Sequence, residues 1–349
     1  MRFRRRAPDL PQGPGTSRRS MQLVRNLYER MRLMTRVYKV TALVLLVAAT
    51  AMGIRVVVLG RREAAGRAAA ADIFHQLRAL DLQVARLQAS APEREDFRRR
   101  RAALEATYDE WIRRLGEMQN GRPDEQAVRA TVARFGEARV LVSDRFIRDV
   151  RSKVAEWRRT PDFVNALRVA GDSAYPRRIA AALDTAGLPA ELTWVAFQES
   201  RFRTRAVGPV TRYGVAKGMW QLMPATARHY GLRTGPLVGQ DRFDPGDQRH
   251  HFDAATRAAI RYMDDLYLMD AQGSGLLVMA CYNAGQTRVL RLLRSLPATP
   301  RDRNFWRLVE RYRAEIPDET YYYVVGVVAA AAVIAQPEAF GFSAREVAS

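Results

Sequence analysis

Residues 188–202 read LPAELTWVAFQESRF. At helical spacing Leu188, Leu192, Val195 and Ala196 fall on one apolar stripe, and Glu199 falls on the same stripe. An ionised carboxylate at the end of an apolar face loses its hydration. The chain can answer in two ways. It can pair the charge, or it can raise the pKa so that the acid stays protonated near neutrality. The second outcome is what a general acid requires, and glycoside cleavage is a chemistry that uses it.

Three further blocks follow in order: GMWQLMPATARHYGL (218–232), ACYNAG (280–285) and ETYYYV (319–324). With the Glu199-Ser200 pair, they resemble the lytic transglycosylase catalytic domain, the lysozyme-like module that cleaves peptidoglycan, and within that family its membrane-bound D group. The resemblance extends over about residues 160–340. It implies a mostly α, lysozyme-like fold. It also implies one glutamate used twice where glycosidases ordinarily carry two carboxylates. Glu199 would protonate the glycosidic oxygen between N-acetylmuramic acid and N-acetylglucosamine. The substrate's own N-acetyl group would stand in for a nucleophile. Glu199 would then take the proton of the muramyl C6 hydroxyl as a 1,6-anhydro ring closes, an intramolecular attack that needs no activated water.

The same resemblance assigns the remaining site residues. Gln221 and Met223 match glycan contacts, a polar hydrogen-bonder and an apolar floor, although a methionine at that spacing also suits a core. Tyr282 and Asn283 match residues beside the acid, with the phenol facing Glu199 or the sugar. Glu319 matches a supporting cleft glutamate, or else it serves the dipole of a helix start. Tyr323 occupies the tyrosine position of its block, Ser200 supports the loop after the catalytic helix, and Trp220 reads as core. Two departures stand out. Gly208 lies where relatives place a serine that touches the N-acetyl group, and the 209–218 loop is longer by residues such as Thr211, Arg212 and Tyr213.

Within 160–340 the periodicity predicts helices up to about Ala170, over Pro176–Ala186 and over Pro224–Tyr230. It predicts others over Phe252–Asp270, Gly275–Ala280, Val289–Leu296, Phe305–Tyr312 and Tyr321–Ala335. Strand signals are scarce, with room for a small hairpin in 206–218.

Upstream, residues 1–39 carry ten Arg and one Lys against Asp9 and Glu29 and read as a basic cytoplasmic tail. Residues 40–60 carry no charge apart from Arg55 and would make a helix of about 31 Å, enough to cross a bilayer. The basic flank places its start in the cytoplasm, so the catalytic domain would be periplasmic behind a single-pass bacterial inner-membrane anchor. A cleaved signal at Ala49-Thr50-Ala51 is the alternative. Residues 63–158 show narrow apolar stripes, with Ile73, Leu77 and Leu80 in one and Tyr108, Trp111 and Leu115 in another. They predict a helical, coiled-coil-like stalk, either a three-helix hairpin or a homodimer, or a surface for envelope-complex partners.

The net charge of +20 is not organised into an aromatic-basic platform, so nucleic acid is not the expected partner. A peptidoglycan strand with its peptide carboxylates, or the surface of an anionic membrane, suits it better. The single cysteine, Cys281, excludes an internal disulfide, and the four histidines show no metal spacing. No metal and no cofactor are expected. Two other functions stay open: a goose-type lysozyme-like hydrolase, and a non-catalytic membrane-anchored scaffold that only holds glycan.

Overall fold

The structure, a computed structural model, describes residues 60–83, 91–115, 121–268 and 270–347, with Arg25, Met31, Met34, Val57 and Val58 as isolated positions. Apart from those isolated positions and Gly60, the expected basic tail and membrane segment lie outside the described residues. The chain divides into two compact units, Met1–Ala64 and Ala65–Ser349.

The second unit opens with helix α1 (residues 65–83) and α2 (Ala91–Leu115). Ala70, Ala71, Phe74 and Leu77 of α1 meet Tyr108 and Ile112 of α2, and Ala138 and Val140 complete this small core. The α1–α2 pair does not stand apart from the rest. Arg78 donates to Tyr267 Oη at 2.6 Å and to the Gly273 carbonyl at 2.9 Å, and Arg301 pairs with Asp72 at 3.1 Å.

Helices α3 (Pro123–Arg134) and α4 (Asp144–Trp157) correct the expected domain boundary near residue 160. Val128, Val132, Phe135, Phe146, Ile147, Val150, Val154 and Trp157 are buried in one core with the residues of the Glu199 helix. The physical reason is that Ile147, Val150, Val154 and Trp157 of α4 step 3-4-3 as a coiled-coil seam would, while the partner that covers them is a core helix far along the chain. Between α3 and α4 the chain turns, because Gly136 takes φ +85° and Ser143 then caps α4 by accepting from Phe146 N.

The rest of the unit is α5 (Asp162–Asp172), α6 (Tyr175–Thr185), α7 (Thr193–Ser200), strands β1 (Val207–Thr211) and β2 (Gly214–Lys217), and α8 (Pro224–His229). Then come α9 (Phe252–Leu268), α10 (Gly275–Ala284), α11 (Gln286–Arg294), α12 (Phe305–Tyr312), α13 (Asp318–Ala335) and α14 (Ala344–Val347). The two strands form an antiparallel hairpin pairing Val210 with Val215 and Thr211 with Gly214, so the architecture is mostly α with one ribbon.

Two helices differ from expectation in ways that matter to the site. Helix α10 continues past Ala280 through Tyr282 and Asn283, which places both on one helical turn. Helix α13 starts at Asp318, where Pro317 and two acids mark a helix start, so Glu319 lies in its first turn. Apolar on all sides, α13 is the central core helix. Among the described residues it is the helix long and apolar enough to cross a membrane, and most of it is buried in this core.

Candidate functional site

A 3₁₀ turn at Ala190–Leu192 leads into α7, where Trp194, Val195, Ala196 and Phe197 are buried. The helix stops because Arg201 and Phe202 take positive φ, 55° and 60°, a conformation costing about 1 kcal/mol per side-chain-bearing residue. Phe202 is held there by burial in the core. Glu199 therefore sits in the last turn of α7, half-buried, where the carbonyl end of the helix disfavours a negative charge.

Helix α13 packs against α7 with Gly326 facing Gln198, where a β-carbon would lie 2.6 Å from Oε1 at the far end of that flexible side chain. At that approach the buried Tyr323 donates its hydroxyl to Glu199 Oε1 at 2.7 Å. Burial pushes the Glu199 carboxyl up to about 7, the Glu319 charge adds to the rise, and the Tyr323 hydrogen bond opposes it. The phenols of Tyr323 and Tyr282 are themselves raised well above their ordinary range, by burial first and by the Glu199 charge second, so both remain protonated.

Behind Glu199 lies the 218–223 loop. Ser200 Oγ donates to the Met219 carbonyl at 2.7 Å and accepts from Arg203 N at 3.1 Å, tying the end of α7 to that loop. Gly218 has φ +79°, and a β-carbon there would fall 1.7 Å from the Arg249 carbonyl oxygen. Arg249 is fully buried, paired with Asp247 at 2.7 Å, and donates to the Val215 and Leu222 carbonyls at 2.6 and 3.0 Å. Trp220 is buried, with Nε1 donating to Thr256 Oγ1 at 3.1 Å. The Gln221 side chain turns inward to donate to the Gly218 carbonyl at 2.8 Å. Met223 is half-buried at the start of α8.

Tyr282 lies near enough to Glu199 to feel its charge, but it is not the phenol bonded to it. Its hydroxyl donates to the Trp220 carbonyl at 2.7 Å, and the phenol that reaches Glu199 belongs to Tyr323. Asn283 Oδ1 accepts from Thr320 Oγ1 at 2.8 Å, which joins α10 to the start of α13.

A cleft of about 690 Å³ opens over Glu199. Of the residues expected from the sequence, Glu199, Asn283, Glu319 and Tyr323 line it. Ser200, Gln221, Met223 and Tyr282 do not, and the first and last of these support its back wall. The opposite wall comes from α4, which supplies Asp149, Ser152, Lys153 and Glu156, and Gln198 and Tyr322 also face the cleft. These residues were missed because α4 reads as stalk; its Ser-Asp start was the available signal. Lys153 pairs with Glu156 at 3.0 Å. Asp149 accepts from Tyr321 Oη at 2.9 Å. Thus Asp149, Glu156 and Glu319 share the cleft with Glu199.

Gly208 lies in β1, and a β-carbon there would come within 3.0 Å of Gln221 Oε1. The added residues Arg212 and Tyr213 form the tip of the hairpin, with the guanidinium 4.6 Å from the ring centroid and Tyr213 exposed. Cys281 is buried in the core. Among the described residues no three His, Cys, Asp or Glu side chains gather as a metal site.

Residues 178–304 match the family model described as Transglycosylase SLT domain. The matched span includes Glu199, the 218–223 loop and the Tyr282-Asn283 pair, and stops short of α13. Two curated proteins, membrane-bound lytic murein transglycosylase D of Escherichia coli (strain K12) and its namesake in Escherichia coli O6:H1, are each 28% identical to this chain over 192 residues. The alignment covers 55% of this chain and 38% of either relative. The chain therefore spans well under half the length of the relatives it matches.

Proposed function

We propose, with a transglycosylase SLT domain over residues 178–304 as the premise, that this protein is a peptidoglycan lytic transglycosylase. Its bond would be the β-1,4 linkage between N-acetylmuramic acid and N-acetylglucosamine. The observation that carries this reading is Glu199, a carboxyl raised to about 7 with one phenol on it at the floor of a 690 Å³ cleft. Protonated, it gives its proton to the glycosidic oxygen as the bond to the leaving sugar breaks. The N-acetyl oxygen of the muramyl residue covers the anomeric carbon. Glu199, now ionised, accepts the C6 hydroxyl proton, and that oxygen closes the 1,6-anhydro ring. Tyr323 steadies the ionised state between the two steps by donating to Oε1. Residues 40–60 would hold the chain at the bacterial inner membrane with the cleft in the periplasm.

A second reading, hydrolysis, draws on the carboxylate of Glu319 in the same cleft, a group able to activate water. Digestion of purified peptidoglycan by the full chain, followed by mass spectrometry, separates them. Anhydromuramyl ends from wild type and none from Glu199→Gln are expected. Reducing ends would move the protein to the hydrolases. Bound but uncut glycan would leave a scaffold.

A further inference from the structure

A second cavity of about 600 Å³ lies between α1, the start of α4 and α12. Its charged lining is unequal. Arg145, Arg301, Arg307 and Arg313 face it, against Asp72 and Glu310. Each guanidinium leans on one acid: Arg301 on Asp72 at 3.1 Å, Arg307 on Glu310 at 2.9 Å, Arg145 on Asp149 at 3.8 Å, and Arg313 on Asp318. A guanidinium has five N–H donors, so one carboxylate apiece leaves donors for another anion.

Deeper in, His75 is 8% exposed and its Nε2, like Trp306 Nε1, is buried without a hydrogen-bond partner among the described residues. A buried polar atom left unpaired costs about 1–3 kcal/mol, which a ligand carrying amide groups would recover. The ring of Tyr321 forms the wall toward the Glu199 cleft, with the Arg313 and Arg145 guanidinium carbons 5.0 and 5.9 Å from its centroid. Its hydroxyl donates to Asp149, which lines the cleft itself. One hydrogen-bonded pair therefore separates the two cavities, and the N-terminal turn of α13 stands between them. A helix is about 10 Å across, and three extended residues span about the same length.

We propose that this second cavity binds a peptide bearing free carboxylates, namely the stem peptide of a peptidoglycan strand whose sugars occupy the Glu199 cleft. The choice of peptide rests on the glycan reading above. The arginines take the carboxylates in charge-assisted pairs, while His75 and Trp306 take backbone amide groups. The enzyme then distinguishes peptide-bearing strands from bare ones through a surface that the family match, ending at residue 304, covers only at its edge.

The test is calorimetric titration of the full chain with the tripeptide L-alanyl-γ-D-glutamyl-meso-diaminopimelate and with the same peptide amidated at its carboxylates. No sugar is present and no bond is cut, so the result is independent of whether the protein is a transglycosylase. Saturable binding is expected, weakened about tenfold or more by amidation or by Arg301→Gln with Arg307→Gln, and retained in Glu199→Gln. In the unaltered protein the Trp306 indole N–H resonance should shift on titration, a readout that needs no variant to fold. Absence of saturable binding, or a double variant that binds as wild type does, overturns the proposal. So does an unmoved Trp306 resonance with binding lost in Lys153→Gln, which would place the peptide in the Glu199 cleft.

Discussion

The hydroxyl of Tyr323 donates to Glu199 Oε1 at 2.7 Å, and it is the side-chain contact that holds the Glu199 pKa down against burial and the Glu319 charge. The carboxyl settles at about 7 because desolvation outweighs that contact. Tyr323→Phe should therefore move the alkaline limb of the kcat/KM profile upward, by about half a unit to one unit. The measurement is cleavage of peptidoglycan strands across pH 5–9. A limb that stays in place, or moves down, would show that the phenol does not act on Glu199.

Glu199 also links stability to pH. Its folded pKa, about 7, lies above the ordinary 4.5, so across that window the native state holds a proton that the unfolded chain has released. The resulting stability is fully present below about pH 4.5 and is lost as pH rises through 7. Glu199→Gln keeps an acceptor for Tyr323 and removes the titration. Denaturant midpoints should show the variant gaining about 3 kcal/mol on wild type between pH 4 and pH 8. A difference that does not change with pH would contradict the raised pKa.

The contrast between α7 and α4 explains what the sequence could reveal. On α7 the anomaly was local, a carboxylate on an apolar stripe, and helical periodicity alone exposed it. On α4 the apolar positions Phe146, Ile147, Val150, Val154 and Trp157 were equally visible, but the partner that covers them, α13, lies far along the chain. Periodicity tells that a face is buried and is silent about what buries it. Asp149, Lys153 and Glu156 thus fell within the expected stalk, although the fold turns them into the cleft. The hydrogen-bond acceptor of Tyr282 was hidden for a related reason, since that carbonyl belongs to a loop whose path depends on Gly218 and Arg249.

Ser200 provides a test of that loop. Its hydroxyl is buried and bonds Met219 O and Arg203 N, so Ser200→Ala leaves a buried carbonyl and an amide short of one partner each. A loss of about 1–3 kcal/mol in unfolding free energy is expected. Because the loop lies behind the cleft, KM for glycan should rise while the alkaline limb of the pH profile stays near wild type. A change in that limb would instead assign Ser200 to the proton chemistry of Glu199.

Glu137 should matter for stability and not for chemistry. Its side chain is 1% exposed, and Oε1 accepts from Phe305 N at 2.8 Å and from Ser274 Oγ, joining the turn after α3 to the starts of α10 and α12. Glu137→Ala removes an acceptor for two buried donors and opens a void, so it should cost about 2–4 kcal/mol in denaturant unfolding. Glu137→Gln retains an oxygen for both donors and should recover most of that loss. Burial raises the wild-type carboxyl to about 7, so the glutamine variant should also resist rising pH between 4.5 and 7 better than wild type does. Equal losses in the alanine and glutamine variants would mean that the ionised carboxylate, and not the acceptor, secures the junction.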